Sequence, residues 1–201
     1  SLGTDVFAMD YGAASGEPRL ESGFPIDFAM VRQPATTEDW YTGSRLTGAN
    51  KVFANLTDAM SSQSNFVWDY NDGWQDSSST TYLSWMWKRH AGFDVVTWEG
   101  TNGNVFRRHN LGKIPEMIIF KNRDAARSWR TYHKGLNGGT NPEDYEIVIN
   151  SSTGSGSNTS YMNGTAPTST HFVSGNDGDT NGIGDNYIAL LFASVEGISS
   201  V

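Results

Sequence analysis

The chain has 201 residues, seven of them Trp, with aromatics at 12% and charged residues at 18%, so it can bury a core and is not a disordered tail. Fourteen Lys and Arg against 22 Asp and Glu leave a formal net charge of −8, which argues against a basic face for nucleic acid. The absence of Cys excludes disulfides, thiol chemistry and Cys-ligated zinc. In chain order, short runs rich in β-branched and aromatic residues, bounded by Gly, Asn, Asp and Pro, predict strands at Asp5 to Asp10, Asp27 to Arg32, Lys51 to Asn55 and Thr81 to Trp87. A second set follows at Asp94 to Trp98, Glu116 to Lys121, Tyr145 to Asn150 and Tyr187 to Ala193. Helical periodicity is nowhere sustained, and no stretch has the length of a membrane span. Ser1 to Met9 lacks the basic and apolar regions of a signal peptide.

The two sets are copies. Asp5-Val6 recurs as Asp94-Val95, Asp27 as Glu116, Arg32 as Lys121 and Trp40 as Trp129, all at an offset of 89. Asn55 matches Asn150 at 95, and Asn71-Asp72-Gly73 matches Asn176-Asp177-Gly178 at 105. The second copy is longer, and its run Ser151 to Ser160, made of Ser, Thr, Gly and Asn, reads as a surface loop. This predicts an all-β chain of two tandem sandwich or barrel repeats, residues 1–91 and 92–201.

The repeat leaves one strand over. Shifted by 105, the opening strand Phe93 to Val96 lands on Ile198 to Val201, a third opening strand that is begun and not finished. If Asp94 to Trp98 closes the first repeat, the N-terminal strand Asp5, Val6, Phe7, Ala8, Met9 and Asp10 is free to fill the open sheet of another copy. Such exchange between protomers, head to tail, builds a filament; the alternative is that the strand pairs within its own chain.

Several stretches are similar to a known family. His109 to Arg123, Trp129 to Leu136, Asn163 to Phe172 and Asp185 to Gly197, with Gly92 to Gly103 as a joining strand, resemble tandem β-domains in virion structural proteins of tailed phages infecting aquatic bacteria. The resemblance implies a tail-fibre or virion surface polypeptide of concanavalin-like sandwich type, extracellular or on the virion, without catalysis. Self-association is then the expected partnership, and surface glycans are the alternative partner.

Candidate sites compete with ordinary structural roles. Asp177, Asp179 and Asn181 in Asp177-Gly-Asp179-Thr-Asn181-Gly182 head an EF-hand-like calcium loop, but the twelfth position is Ile188 where a bidentate Glu belongs, so an Asx-rich turn explains the run as well. Trp68, Tyr70, Asp72, Trp74 and Asp76 place aromatics beside carboxylates, as a glycan-reading surface does and as an interface or loop packing on its own sheet does. Leu83, Trp85 and Trp87 share one strand face and match Ile188, Leu190 and Phe192, which makes them core positions. Asn55, Asn150, Asn158 and Asn163 begin N-x-S/T sequons. H-E-x-x-H, G-x-S-x-G and Walker spacings are absent, and Glu143 and Glu146 read as a solvated loop, so no enzyme is expected and no cofactor beyond a possible calcium ion.

Overall fold

The computed structural model describes residues 2–76 and 80–201. The chain is all-β and divides into two units, residues 1–54 with 60–89, and residues 55–59 with 90–201. The sequence places the boundary two residues later and gives no sign that 55–59 pack with the second unit. Among the described residues no helix is long and apolar enough to cross a membrane.

The first unit holds β1 (Phe7–Tyr11), β2 (Leu20–Glu21), β3 (Phe28–Arg32), β4 (Tyr41–Ser44), β5 (Asn50–Phe53), β6 (Ser61–Ser62), β7 (Gly73–Trp74) and β8 (Leu83–Trp87). The second holds β9 (Phe93–Glu99), β10 (Val105–Arg108), β11 (Met117–Asn122), β12 (Arg130–His133), β13 (Tyr145–Val148), β14 (Gly156–Ser157), β15 (His171–Ser174) and β16 (Asn186–Phe192). The first six-stranded sheet runs β1-β8-β3-β4-β5-β6 and faces the pair β2-β7. The second runs β9-β16-β11-β12-β13-β14, with β10-β15 as its pair. Strand for strand this is one topology used twice, each sheet antiparallel throughout.

The register corrects the strand tally. β1 pairs along its whole length with β8 of the same chain, Phe7 opposite Trp87 and Tyr11 opposite Leu83. β9 pairs with β16, Phe93 opposite Phe192, so it opens the second unit and does not close the first. Among the described residues no opening strand is left over for another copy. Phe7 therefore corresponds to Phe93, whereas the offset of 89 puts Val96 there. The Asp5-Val6 match is out of frame: Asp5 ends a 3-10 turn, Gly3–Asp5, where its carboxylate accepts from the Leu2 amide at 2.7 Å. At the far end, Ile198 to Val201 begin no strand; Val195 and Ser199 form a single bridge, and the Ser199 hydroxyl donates to the Ala193 carbonyl.

Each six-stranded sheet has one face inside its sandwich. Alternation puts Ala29 and Val31 of β3 and Met86 of β8 inward, where they meet Leu20, Phe66, Trp68 and Trp74. At the matching places the second unit has Ile118, Phe120 and Leu191, packed with Tyr132, Tyr161, Phe172 and Tyr187. The two cores fill the same space differently. Gly43, where the second unit has Tyr132, lets the Phe66 ring approach so closely that a Cβ there would lie 2.7 Å from it. Phe66, Trp68 and Trp74 then supply the volume that Tyr132 and Phe120 supply in the other unit.

Candidate assembly face

Opposite the core, the first six-stranded sheet presents three rows of side chains in register. Phe7, Trp87 and Phe28 form one row, Met9, Trp85 and Met30 the next, and Tyr11, Leu83 and Arg32 the third. Phe7 and Trp87 stand 5.1 Å apart between ring centroids, and Phe28 lies 5.5 Å from the same indole. Trp40, just before β4, stacks on Trp85 at 4.9 Å and 27°. The Arg32 guanidinium sits 5.0 Å above the Trp40 ring, a cation–π contact. Met9 is 59% and Tyr11 54% exposed, while Trp85, Leu83, Met30, Arg32 and Trp40 are half-buried.

The second unit carries the same three rows: Phe93, Phe192 and Met117; Val95, Leu190 and Ile119; Thr97, Ile188 and Lys121. Here Val95 is 3% exposed where the first unit has Met9, and Leu190, Ile188, Lys121 and Trp129 are all buried. Phe28 is buried in the first row, as Phe93 is in the second unit, so the two faces differ in the other two rows, which are more enclosed in the second unit. Leu83, Trp85 and Trp87 do share a face, as their spacing predicts, but it is this outer face. The core positions of β8 are Ser84 and Met86, both fully buried.

Lys121 is the most unusual residue of the outer face. It is 0% exposed, and burial pulls its ammonium down to about 8, against the opposing pull of Asp179 and Asp58. Its Nζ donates to the Arg127 carbonyl at 2.7 Å and the Thr57 carbonyl at 2.8 Å, and lies 6.0 Å from the Trp129 ring. The sequence marks Lys121 only as the match of Arg32; that it is buried follows from the tertiary packing.

The residues that sequence grouped as a glycan surface do not form one. Trp68 and Trp74 lie inside the first core, stacked at 4.8 Å and 16°. Trp74 is fully buried and donates its indole N–H to the Ser84 hydroxyl. Asp76 is buried too, accepting from the Tyr41 hydroxyl at 2.9 Å. Only Asp72 is exposed, and half-buried Tyr70 bonds to Glu17. Gly73 explains the arrangement: with no side chain it lets β7 press on β2, where a Cβ would come within 2.1 Å of the Leu20 carbonyl. That docking carries Trp74 inward. Continued to Trp74, the offset of 105 lands on Asp179, but by its partner Asp76 is the residue in the place of Asp179. Tyr41 reaches Asp76, and Arg130, which matches Tyr41, reaches Asp179.

The calcium-like loop is likewise committed elsewhere. The Asp179 carboxylate accepts from Arg130 Nε at 2.5 Å and faces Arg127 at 3.8 Å. The Asp177 side chain accepts from the Asp179 amide at 2.8 Å, an Asx turn, and its carbonyl accepts from the amides of Thr180 and Asn181. The Asn181 side-chain oxygen accepts from Arg107 and from the Thr101 amide. Among the described residues no cluster of acidic or His side chains stands ready for an ion. Glu146, read from sequence as solvated, is buried in β13 beside Arg130, with Asn158 donating to it at 2.8 Å. Burial raises its carboxyl above the usual range, against the pull of Asn158 and Arg130.

The sequons are placed unequally. Asn150 accepts from the Trp129 amide, and the Asn158 amide group is held by Glu146. Asn163, at φ 54°, lies in the wall of a shallow polar pocket of about 380 Å³ with Asn104, Asp144, Ser160 and Asn176.

Comparison with known proteins adds one relation. Residues 22–201 match the family described as Domain of unknown function (DUF7483). The chain belongs to that family. The match runs through both units, beginning after β2. No curated protein and no solved structure matches the chain.

Proposed function

We propose that this DUF7483 chain is a non-catalytic structural subunit that self-assembles into an extracellular fibre, filament or virion surface. The observation that carries this reading is the difference between the two outer faces. Met9 stands largely in water and Trp85, Arg32 and Trp40 partly so, where Val95, Leu190, Lys121 and Trp129 are buried. Burying such a face removes apolar surface from water, which favours association between copies at about 25 cal/mol for each Å² before the entropic cost of association. Buried acids that would suggest catalysis are already matched: Asp179 and Glu146 to Arg130, and Asp76 to Tyr41. The strands themselves pair within the chain. Assembly in this account therefore proceeds through the sheet face and does not call on exchange of β1. The test is solution mass with negative-stain microscopy of the pure chain. Threads or closed oligomers are expected, and a monomer at every concentration overturns the reading.

Glycan or receptor binding on a phage fibre is the second reading. The polar pocket beside Asn163 and Asn176 supports it, since hydroxyl and amide groups suit a sugar. Its named lining contains no aromatic residue on which a pyranose could stack, which favours assembly. A glycan array separates the two.

A further inference from the structure

The second unit shows what satisfies the cation of the outer face. Lys121 Nζ takes two main-chain carbonyls, Arg127 from its own neighbourhood and Thr57 from residues 55–59. Those five residues leave the first unit between β5 and β6 and pack with the second. In the first unit, Arg32 donates to one carbonyl, that of Thr36, at 3.0 Å. Its Nε is buried and, among the described residues, has no acceptor. Arg32 as a whole is only half-buried, and a charge-assisted bond to its guanidinium is stronger than a neutral one.

The chain carries the same loop a second time. The connection from β13 to β14 has the length of that from β5 to β6, and its ends have the same register, Tyr145 opposite Ser157 as Asn50 is opposite Ser62. Turns begin at the matching pairs Ala54-Asn55 and Ile149-Asn150. Asn55-Leu-Thr57-Asp-Ala59 in the first unit thus corresponds to Asn150-Ser-Ser152-Thr-Gly154 in the second, and residues 151–155 are exposed, next to an Ile149 that is itself 44% exposed.

We propose that the 150–154 loop of a second copy of this chain docks on the Arg32–Trp40 platform of the first unit, a main-chain carbonyl near Ser152 accepting from Arg32. This rests on the self-assembly reading and names its contact. The interface is heterologous, second-unit loop on first-unit platform, and each docked copy still offers a loop, so contacts propagate unless the ring closes. Within one chain, Thr57 on Lys121 is the precedent for the chemistry.

The chain has no cysteine, which makes the test clean. Copies carrying Gln33→Cys, beside Arg32, are mixed with copies carrying Ser152→Cys and oxidised; a second mixture pairs Gln33→Cys with Ile183→Cys. The first mixture is expected to give a disulfide-linked pair on non-reducing gels well above the second. Arg32→Ala is expected to weaken self-association about tenfold, as loss of a charge-assisted hydrogen bond does, and Arg32→Lys to retain it, because the second unit uses Lys. If Arg32→Ala fails to fold by circular dichroism, the cross-link decides. Oligomers with no preference for the Gln33–Ser152 pair overturn this contact and leave self-assembly standing. A chain that stays monomeric overturns both.

Discussion

Lys121 and Arg32 occupy one position in two copies of a fold: Lys121 is paired with Ile188 of the closing strand, as Arg32 is with Leu83, and each holds its cation over a Trp just before the next strand. Lys121 is sealed off and Arg32 is half-exposed.

Burial of Lys121 has a pH signature. Its ammonium titrates near 8 in the folded chain, below the ordinary 10.5. Between those values the unfolded chain binds a proton that the folded one has released, so this group makes stability rise with pH. Below about 8 the cost of keeping it charged is fully present. Burial raises Tyr132 and Tyr187 to about 12, and they act oppositely above pH 10, where the unfolded chain loses its phenolic protons first. Urea melts are expected to show an upward slope from pH 8 to 9.5 that Lys121→Met lacks. An identical slope in the variant would contradict the burial.

The two faces of the first sheet separate stability from assembly. Met86 is fully buried in the core, so Met86→Ala is expected to cost about 2–5 kcal/mol by thermal or urea unfolding. Met9 is mostly exposed, so Met9→Ala is expected to shift stability by less than about 0.5 kcal/mol. A larger loss at Met9 than at Met86 would mean that the face assignment is inverted.

Trp74 is tested the same way. As a fully buried ring stacked on Trp68, its replacement by Ala is expected to cost about 3–5 kcal/mol, whereas a loop residue that reads glycans would lose binding and little stability. Thermal melting of Trp74→Ala reads the difference directly.

How much of this was legible in the sequence depended on the range of the cause. Strand positions, two copies and all-β class follow from local alternation and from offsets such as Arg32 to Lys121 and Trp40 to Trp129. The strand at Phe7 is out of frame in the sequence because Asp5-Val6 and Asp94-Val95 agree in letters while only pairing with β8 and β16 sets the register. Trp74 looks like a loop residue in the sequence because nothing local shows that Gly73 docks on Leu20. Asp179 resembled a calcium ligand because its partner Arg130 is remote in sequence. Which outer face is covered is a purely tertiary fact.

Arg130 ties that loop to the second sheet. Asp179→Asn leaves a half-buried guanidinium facing an uncharged amide, and a loss of about 2–4 kcal/mol is expected, somewhat under the range for fully buried pairs. A chelator is expected to leave the melting temperature unchanged, because Asp179 is already neutralised by Arg130. A chelator-dependent drop would assign the loop to an ion instead.

The central claim is that the open face holding Met9 and Tyr11 brings copies together. Sedimentation velocity over a concentration series, comparing the natural chain with the double variant Met9→Glu, Tyr11→Glu, tests it most directly. The account predicts oligomers that grow with concentration in the natural chain and a folded monomer in the variant. Assembly undiminished by two carboxylates on that face would contradict it.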